Sequence, residues 1–346
     1  MGRWAAAAEA LLVRHWWRAR PSGLSRALLP LAWLYRALAQ RQRRRAPLPG
    51  RPPVPVVVVG NLVAGGAGKT PTVIALVQAL REAGRQPGVI SRGYGREGAG
   101  VREVGADDSA AEVGDEPLLI HRRTAVPVWV GRDRSAAARA LCAAHRGVDV
   151  LVADDGLQHA ALWRDAELVV FDARGTGNGL LLPAGPLREP LPQHLAPRAR
   201  VLYTDGVAST PLPGGLAQRR IALAWPLAAW RRGDAAAALP LADLRGRRLL
   251  AVAGLAAPQK FFAMLQAQGL DIARLPLPDH HDYATLPWPL STTDVVTTEK
   301  DAVKLDPSQL GATRVWVVPL DLALPAGLVE ELLALLPLPA AAPPLP

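Results

Sequence analysis

The chain has 346 residues, half of them hydrophobic, which is enough to bury the core of one large domain or of two ordinary ones. Its single cysteine, Cys142, excludes a fold held together by internal disulfides and suits a reducing compartment. The net charge of +10 belongs to one end of the chain. Eleven arginines and one acidic residue lie between Met1 and Arg51, whereas the remainder carries 29 basic and 29 acidic residues.

The N-terminal segment, residues 1–48, combines these arginines with apolar and aromatic side chains. Leu28, Leu31, Tyr35 and Leu38 follow helical spacing and predict one apolar stripe, and Pro30 suits the first turn of that helix. An apolar stripe with interfacial aromatic residues and flanking arginines is typical of a helix that lies on an anionic membrane surface. The aromatic residues of the segment are Trp4, Trp16, Trp17, Trp33 and Tyr35.

Two other interpretations of this segment stay open at this point, namely a helix packed on its own domain and a basic arm that binds nucleic acid. Glu9, Arg14, Arg18 and Arg36 interrupt every apolar run, so the segment is predicted neither to span a bilayer nor to act as a signal peptide. We therefore predict peripheral attachment to a membrane surface through residues 1–45.

The next segment, "VVVVGNLVAGGAGKTPTV" from Val56 to Val73, indicates a buried strand, a glycine-rich turn and the start of a helix. That order predicts a phosphate-binding loop, because backbone N–H groups and a helix N-terminus then surround one anion. Lys69 is expected to bridge the β- and γ-phosphates of ATP, and Thr70 to offer a hydroxyl to Mg²⁺. The usual pattern, G-x-x-x-x-G-K-[ST], has glycine where this chain has Val63. The predicted nucleotide-binding residues are Val63, Ala64, Gly65, Gly66, Ala67, Gly68, Lys69 and Thr70.

Strand and helix patterns alternate from this loop to about residue 205, and the rhythm then loosens. The alternation predicts an α/β fold of the P-loop NTPase type, with a mostly parallel sheet and helices on both faces, followed by a second, smaller α/β domain. The predicted division is the N-terminal segment at 1–48, a P-loop domain at 49–212, a smaller α/β domain at 213–335 that contributes to an active-site cleft, and a frayed Pro/Ala-rich tail at 336–346.

The stretch "VDVLVADDGLQH" places Asp154 and Asp155 at the end of an apolar strand. In P-loop enzymes a carboxylate at this place reaches Mg²⁺ directly or through water. Adjacent side chains of a strand point to opposite sides, so one aspartate is expected to bind the metal while the other holds a catalytic group, and the sequence does not say which. A helix N-cap or an Asx-turn is the alternative role.

Seven motifs then follow one another along the chain: GNLVAGGAGKTP, SRGYGR, GDEP, DDGLQH, PAGPLREP, PDHHDY and TTEKD. Together with the basic N-terminal segment they resemble the tetraacyldisaccharide 4'-kinase family of Gram-negative bacteria, from about residue 25 to about residue 320. That family usually has Thr or Ser at the position of Val63, so one side-chain hydroxyl is missing here.

The resemblance implies a P-loop kinase that uses ATP and Mg²⁺ and lies peripherally on the cytoplasmic face of the inner membrane. Its reaction would move the γ-phosphate of ATP to the 4'-hydroxyl of a tetraacylated glucosamine disaccharide 1-phosphate, giving lipid IVA. The implied partners are therefore this glycolipid and a membrane surface, and no nucleic acid.

The resemblance also implies roles for individual residues. Asp115 of GDEP matches the family's catalytic base and His280 of PDHHDY matches its partner, although Asp115 could also cap the helix that follows it. With Lys69 and Asp155 they form the predicted catalytic set. The segment Thr297–Asp301 is expected near the nucleotide, with no chemistry assigned. The predicted metal ligands are Thr70, Asp154, Asp155 and Glu189, and the predicted substrate contacts are Arg92, Tyr94, Arg132, Gln158 and Arg188.

A second hypothesis is a membrane-associated P-loop ATPase that acts as a switch and phosphorylates no small molecule. Such a protein positions a water molecule and needs no base for a hydroxyl acceptor, so Asp115 and His280 would then be incidental.

Overall fold

The computed structural model describes residues 11–48 and 50–337. Trp4, Glu9 and most of the predicted tail lie outside the described residues. Residues 11–16 are helical. The further helices are α1 (Gly23–Ala27), α2 (Leu29–Arg45), α3 (Lys69–Glu82), α4 (Ala110–Val113), α5 (Asp115–Thr124), α6 (Arg134–Ala144), α7 (Leu227–Arg232), α8 (Pro258–Ala267), α9 (Glu299–Ala302) and α10 (Leu328–Leu335).

The strands are mostly short, as is usual in α/β proteins. They are β1 (Val56–Gly60), β2 (Pro87–Ser91), β3 (Arg102–Glu103), β4 (Val128–Val130), β5 (Val150–Asp154), β6 (Ala166–Phe171), β7 (Ala199–Tyr203), β8 (Gly215–Leu216), β9 (Gln218–Arg220), β10 (Leu223–Pro226), β11 (Leu239–Pro240), β12 (Leu249–Ala253), β13 (Ile272–Pro276), β14 (Asp294–Thr298), β15 (Arg314–Val318) and β16 (Asp321–Ala323).

The chain forms two compact units, each built from separate stretches of sequence. The first unit consists of the described parts of Met1–Ser91, Asp133–Gln218 and Leu324–Pro346, and the second consists of Arg92–Arg132 and Arg219–Ala323. The linear division predicted from the sequence differs at 92–132 and at the C-terminus. A helix belongs to the unit in which it buries its apolar face, and α5 packs against α9 of the second unit.

The first unit contains six parallel strands in the order β2-β5-β1-β6-β7-β8. Strand β1 is buried along its whole length, which is why its sequence is a continuous run of valine rather than an alternating pattern. Helix α3 packs on β1, β2 and β5. The α/β class and the mostly parallel sheet that the sequence predicted are thereby confirmed.

The order of the strands in the first unit also locates its functional edge. Strand β1 lies between β5 and β6, so the chain leaves β1 toward one side and later crosses to the other. Ligands of open parallel sheets bind outside the carboxyl ends of the strands at such a switch point. The glycine-rich loop follows β1 and Asp154 ends β5, so both lie at this edge.

The second unit is built on a six-stranded sheet in the order β11-β10-β15-β14-β12-β13. Its strands β12 to β15 pair in parallel, and β10 pairs antiparallel with β15. Helix α8 packs on this sheet and buries Phe261, Phe262 and Leu265 in its core. Thr298 caps α9 by accepting a hydrogen bond from the N–H of Asp301, which fixes the direction in which α9 leaves β14.

Helix α2 of the N-terminal segment exposes apolar side chains, although not the predicted set. More than half of the surface is exposed in each of four side chains, namely Leu31 (51%), Trp33 (67%), Leu34 (55%) and Leu38 (57%). The three leucines share one face of the helix. Tyr35, predicted in the same stripe, instead points inward, and its hydroxyl donates to the backbone oxygen of Arg188. The prediction failed there because a tyrosine is apolar along its ring and polar at its hydroxyl, and the hydroxyl finds a partner inside the unit. Among the described residues, no helix is long and apolar enough to cross a membrane.

Candidate active site

The loop between β1 and α3 is curled by two glycines in the left-handed region. Gly65 has a φ of +91° and Gly68 a φ of +87°, values that a residue with a Cβ rarely adopts. The side-chain amide of Asn61 donates to the carbonyl oxygen of Gly65 at 3.1 Å and closes the loop. Helix α3 begins directly afterwards at Lys69, so its unpaired N–H groups and its positive end face the loop. The loop therefore offers an anion site at the carboxyl end of β1.

Val63, which departs from the usual loop pattern, anchors this loop in the core. Its side chain is fully buried in a cluster with Phe171, Leu187 and Val201, and its backbone forms an isolated bridge to Leu187. Glycine here would leave a void in the cluster, which explains the valine. Val63 can therefore contribute to a phosphate site only through its backbone.

Lys69 lies among charged and polar groups at this edge of the sheet. Its ammonium donates to Asn61 Oδ1 at 3.2 Å and lies 3.6 Å from Asp155 Oδ1. The Nη1 atom of Arg188 donates to the two carboxylate oxygens of Asp155 at 3.1 and 3.3 Å. An ammonium held in this way beside an anion-binding loop is already placed for phosphate oxygens.

The two adjacent aspartates have different surroundings. Asp154 is buried at the end of β5, and its Oδ2 accepts a hydrogen bond from the Ser91 hydroxyl at 3.1 Å. Asp155 has a φ of +49° and turns away from the strand. Burial raises the pKa of Asp155, but the charges of Lys69 and Arg188 outweigh it and lower that pKa below its ordinary value. Asp155 is therefore ionised at neutral pH.

Glu189 and Gln158 extend this network toward helix α2. The Gln158 amide donates to Glu189 Oε1 at 3.0 Å and accepts from Arg188 Nη1 at 3.1 Å. From α2, Arg43 lies 2.5 Å from Glu189 Oε2, and the Tyr35 hydroxyl donates to the backbone oxygen of Arg188 at 3.1 Å. Two residues predicted as substrate contacts thus bind carboxylates of the protein: Gln158 binds Glu189, and Arg188 binds Asp155.

The same edge of the sheet provides oxygen donors suited to Mg²⁺. Thr70 is the second residue of α3, and Asp154 and Asp155 follow one another at the end of β5. Within residues 11–48 and 50–337, no group of three or more His, Cys, Asp or Glu side chains forms a metal cluster. A hydroxyl and one or two carboxylates nevertheless fit a magnesium ion that is held chiefly by nucleotide phosphates.

Arg174 is a member of this network that sequence reasoning missed. Its guanidinium donates to the backbone oxygen of Gly66 at 2.7 Å, pairs with Asp172 at 2.8 Å and lies 4.1 Å from the ring centroid of Trp17. The signal was present in "VVFDAR", where an acidic and a basic residue follow an apolar strand, as they do near the ends of other strands at a phosphate site.

A second centre lies in the second unit, where Asp115 meets His280. The Nδ1 atom of His280 is 2.9 Å from Asp115 Oδ2, and Asp115 Oδ1 accepts from the N–H of Glu116 at 2.9 Å. Asp115 is the first residue of α5, whose cap is Gly114, so it does not itself cap the helix. The fold thus joins two residues that are 165 positions apart in the chain and that the resemblance paired.

Lys300, in the segment Thr297–Asp301, lies beside this centre. Its Nζ is 3.3 Å from His280 Nε2, 3.2 Å from Asp279 Oδ1 and 3.3 Å from Glu116 Oε1. Because an ammonium only donates hydrogen bonds, Nε2 must accept, and neutral His280 carries its proton on Nδ1. His280 therefore donates to Asp115.

Asp115 is buried, yet its surroundings favour the ionised form. Burial raises the pKa of Asp115, but the hydrogen bond from His280 and the charges of Lys300 and Lys304 outweigh it, and the pKa lies below its ordinary value. The Nζ atom of Lys304 is 3.7 Å from Asp115 Oδ2. At neutral pH, Asp115 is therefore a carboxylate that can accept a proton.

His280 should make the stability of the protein pH-dependent near neutrality. Its hydrogen bond with Asp115 raises the pKa of His280 above the ordinary value, although burial and the charge of Lys300 oppose this, and Asp279 supports it. A histidine whose pKa is raised by folding stabilises the folded protein. This stabilisation is fully present at pH values below the pKa of the unfolded chain, about 6.5, and is lost as the pH rises through the pKa of the folded protein.

We expect His280→Gln to lower the free energy of unfolding most at about pH 5.5, and progressively less toward about pH 9. Urea unfolding of both proteins across this range measures the difference. A difference that stays constant with pH would show that titration of His280 is not coupled to folding.

A cavity of about 450 Å³ opens onto the second centre and is lined by Asp115, His280, Lys304 and Tyr94, among others. The Tyr94 ring is 64% exposed, and its centroid lies 5.2 Å from that of His280. Arg92 and Arg132, predicted to contact the substrate, are exposed and do not line this cavity.

The identity of the basic residues was a further signal in the sequence. Only four of the 40 basic residues are lysine, namely Lys69, Lys260, Lys300 and Lys304. Three of the four lie in the two centres just described. In a chain that otherwise uses arginine, a lysine indicates a place where a compact charge on a flexible stem is needed.

Comparisons with known proteins agree with one another. The sequence profile of the family described as Tetraacyldisaccharide-1-P 4'-kinase matches residues 24–337. The tetraacyldisaccharide 4'-kinase of Methylibium petroleiphilum is 56% identical over 322 residues, covering 90% of this chain and 89% of that protein. The Leptothrix cholodnii enzyme of the same name is 55% identical over 328 residues, or 93% and 92% of the two chains. A crystal structure of LpxK from Aquifex aeolicus in complex with ATP matches with a TM-score of 0.73 and 28% identity, covering 90% of this chain and 99% of that one.

Proposed function

Since this chain belongs to the tetraacyldisaccharide 4'-kinase family and is an ATP-dependent kinase of lipid A biosynthesis, we propose that it phosphorylates the 4'-hydroxyl of a tetraacylated glucosamine disaccharide 1-phosphate, giving lipid IVA. The observation that carries this proposal is the pair formed by Asp115 and His280. A buried, ionised carboxylate oriented by a histidine suits the removal of a proton from a hydroxyl acceptor, which an ATPase switch does not need.

The first unit is proposed to bind ATP. The backbone N–H groups from Gly65 to Gly68 and the start of α3 surround the β-phosphate, and Lys69 reaches the β- and γ-phosphates. The predicted contacts of Val63 and Ala64 are left out, because Val63 is fully buried and the N–H of Ala64 already donates to the backbone oxygen of Pro186 at 2.7 Å. Asn61 and Asp155 hold the Lys69 ammonium in place before the nucleotide arrives. Little of the binding energy is then lost in ordering that side chain.

Thr70, Asp154 and Asp155 are proposed to hold Mg²⁺, which neutralises charge on the phosphates when it is bound. Glu189 was predicted as a fourth ligand. Its oxygens contact Arg43 and Gln158, whereas Asp155 lies 3.6 Å from the Lys69 ammonium at the phosphate loop. We therefore assign Glu189 an outer position in which it orients the groups around Asp155.

The second unit is proposed to activate the acceptor. Asp115 takes the proton of the 4'-hydroxyl as the oxygen approaches the γ-phosphorus, and His280 keeps the carboxylate oriented by donating from Nδ1. Tyr94 offers an exposed ring at the mouth of the cavity against which a sugar can pack. Arg92 and Arg132 are proposed to bind the 1-phosphate as exposed cations.

The reaction is tested with γ-labelled ATP, the disaccharide 1-phosphate and detergent micelles. The expected result is a labelled glycolipid whose formation requires both substrates and Mg²⁺. Label found only as inorganic phosphate would reject the kinase in favour of the ATPase hypothesis.

Helix α2 is proposed to hold the enzyme on the cytoplasmic face of the inner membrane. Its exposed Leu31, Leu34 and Leu38 form an apolar stripe, which would otherwise face water, and Arg41 and Arg45 on the same side can contact anionic lipid. A substrate with four acyl chains stays in the bilayer, so an enzyme that lies on the surface can reach its sugar.

Replacing Leu31, Leu34 and Leu38 together by glutamate should abolish binding to anionic vesicles. Each leucine contributes about 1.5 kcal/mol or more when buried, which is about tenfold in partitioning. Flotation of the full chain with phosphatidylglycerol-containing vesicles measures this. Leu290→Glu changes a leucine that is 70% exposed in the second unit and should float as the wild type does. Equal flotation of the triple variant would remove the role given to α2.

A further inference from the structure

We infer that Lys304 is a further catalytic residue, whose ammonium donates a hydrogen bond to the acceptor hydroxyl oxygen while Asp115 removes its proton. This inference rests on the proposed function, because it takes Asp115 as the base. It follows that the cavity of the second unit binds the neutral sugar ring that carries the hydroxyl.

The first observation is a buried ammonium that faces this cavity. The Lys304 side chain is 7% exposed, and within the described part of the chain its Nζ makes no hydrogen bond. The nearest carboxylate oxygens, of Asp115 and Asp301, are both 3.7 Å away, and the ring centroid of Tyr283 is 5.5 Å away. Leaving the donors of a buried charge unused is costly, so a ligand oxygen at this place is strongly favoured.

Lys300 provides the comparison within the same structure. It lies four residues earlier, and three groups engage it: His280, Asp279 and Glu116. Lys300 orients His280 and has its hydrogen-bond partners without a substrate. Lys304 lines the cavity, whereas Lys300 does not, so only Lys304 can reach a ligand in it.

The second observation is that lysine is rare here. The chain has 36 arginines and four lysines, and position 304, where an arginine would extend a broad planar group toward Asp115, is a lysine. A compact ammonium can approach one oxygen and leave room for the sugar and the proton acceptor on either side.

The charge of the cavity wall indicates the kind of ligand. Besides Lys304 and Arg231, the wall carries four acidic side chains, and Asp115 and His280 also line it. The acidic residues are Asp107, Asp108, Asp282 and Asp306. This excess of negative charge disfavours a phosphate and suits a neutral, hydroxyl-rich ring.

The hydroxyl O–H bond breaks and its proton passes to Asp115. The same oxygen forms a bond to the γ-phosphorus as the bond from that phosphorus to the β–γ bridging oxygen breaks, and ADP leaves with that electron pair. Lys304 transfers no proton. It holds the oxygen in line with Asp115 and stabilises negative charge that develops on it.

The test is the steady-state kinetics of Lys304→Met and Lys304→Gln, with the acceptor in micelles. We expect kcat to fall about 10²-fold in the methionine variant, with less loss in the glutamine variant, which keeps a donor. The KM for ATP should change by less than about threefold, because uniform binding of the nucleotide is untouched. Lys304→Ala should regain activity when methylammonium is added, since the cavity leaves space for a small amine beside Asp115.

A merely structural role predicts different results. If Lys304 only offsets the charge of Asp115, the loss in Lys304→Met should disappear at higher pH, where Asp115 is fully ionised, and added amine should not help. Lys260→Met makes the same replacement in α8 of the same unit and should behave as the wild type. Circular dichroism and thermal midpoints establish that each variant is folded.

Two outcomes separate this inference from the proposed function. Normal turnover in Lys304→Met, with Asp115→Asn impaired, overturns only the role of Lys304. Normal turnover in both variants overturns the assignment of Asp115 as the base, and with it this inference.

Discussion

Replacing Lys69 by alanine is expected to lower kcat/KM for ATP by about 10³-fold or more, which makes it one of the two most damaging single changes we predict. The ammonium neutralises phosphate charge during transfer, and it also compensates Asp155, which lies 3.6 Å away. Without Lys69 the ionised Asp155 would face the phosphates of ATP and repel them. Initial rates over a range of ATP concentrations measure the effect, with nucleotide affinity determined separately by titration.

The control for Lys69 is Lys260→Ala, which removes a lysine from α8 of the second unit and should leave the rate within about twofold of the wild type. Lys69→Arg tests geometry, because its broad guanidinium keeps the charge but does not fit the position between Asn61 and Asp155. A Lys69→Ala enzyme that turns over normally would refute the proposed phosphate site.

Asp115→Asn is expected to lower kcat about 10²-fold or more while the KM for ATP changes little. Asparagine keeps the size of the side chain and one carbonyl oxygen that can accept from His280, but it cannot take up a proton.

The pKa of Asp115 lies below its ordinary value, so protonation of Asp115 should not lower the wild-type kcat between neutral pH and about pH 4. The pH profile of kcat measures the pH at which the rate begins to fall on the acidic side.

Asp271→Asn provides the matched control for Asp115→Asn, since it makes the same replacement at an exposed residue of the second unit and should leave kcat unchanged. Restored activity of Asp115→Glu, whose longer carboxylate keeps the base, would support the assignment. If Asp115→Asn retained full turnover, the base would have to be sought elsewhere.

The sequence determined the local features because each follows from neighbouring residues. The valine run of β1 has no polar face and must be buried on both sides, and Gly65 and Gly68 permit backbone angles that other residues disfavour. The excess of arginine at one end and the exposed leucines of α2 likewise follow from composition and helical spacing. The motifs around Lys69 and Asp155 were readable for the same reason.

The tertiary structure was needed to show how distant residues meet. Asp115 and His280 are 165 positions apart. The resemblance paired them, but only the fold shows that residues 92–132, which the linear division grouped with the first unit, belong to the second unit together with His280. The packing role of Val63 could likewise not be predicted from the sequence, because its neighbours Phe171, Leu187 and Val201 belong to other strands and loops.

The sequence by itself thus determined the class of the fold, the glycine-rich loop after β1 and the arginine-rich segment with its exposed leucines, because these depend on residue type and short-range periodicity. The resemblance paired Asp115 with His280, but the tertiary structure alone decided what surrounds this pair: Lys300 engages His280, and Lys304 is left buried with no hydrogen bond among the described residues. Burial and charge pairing are long-range properties, so the lowered pKa of Asp115 and the unused hydrogen-bond donors of Lys304 exist only once the chain is folded.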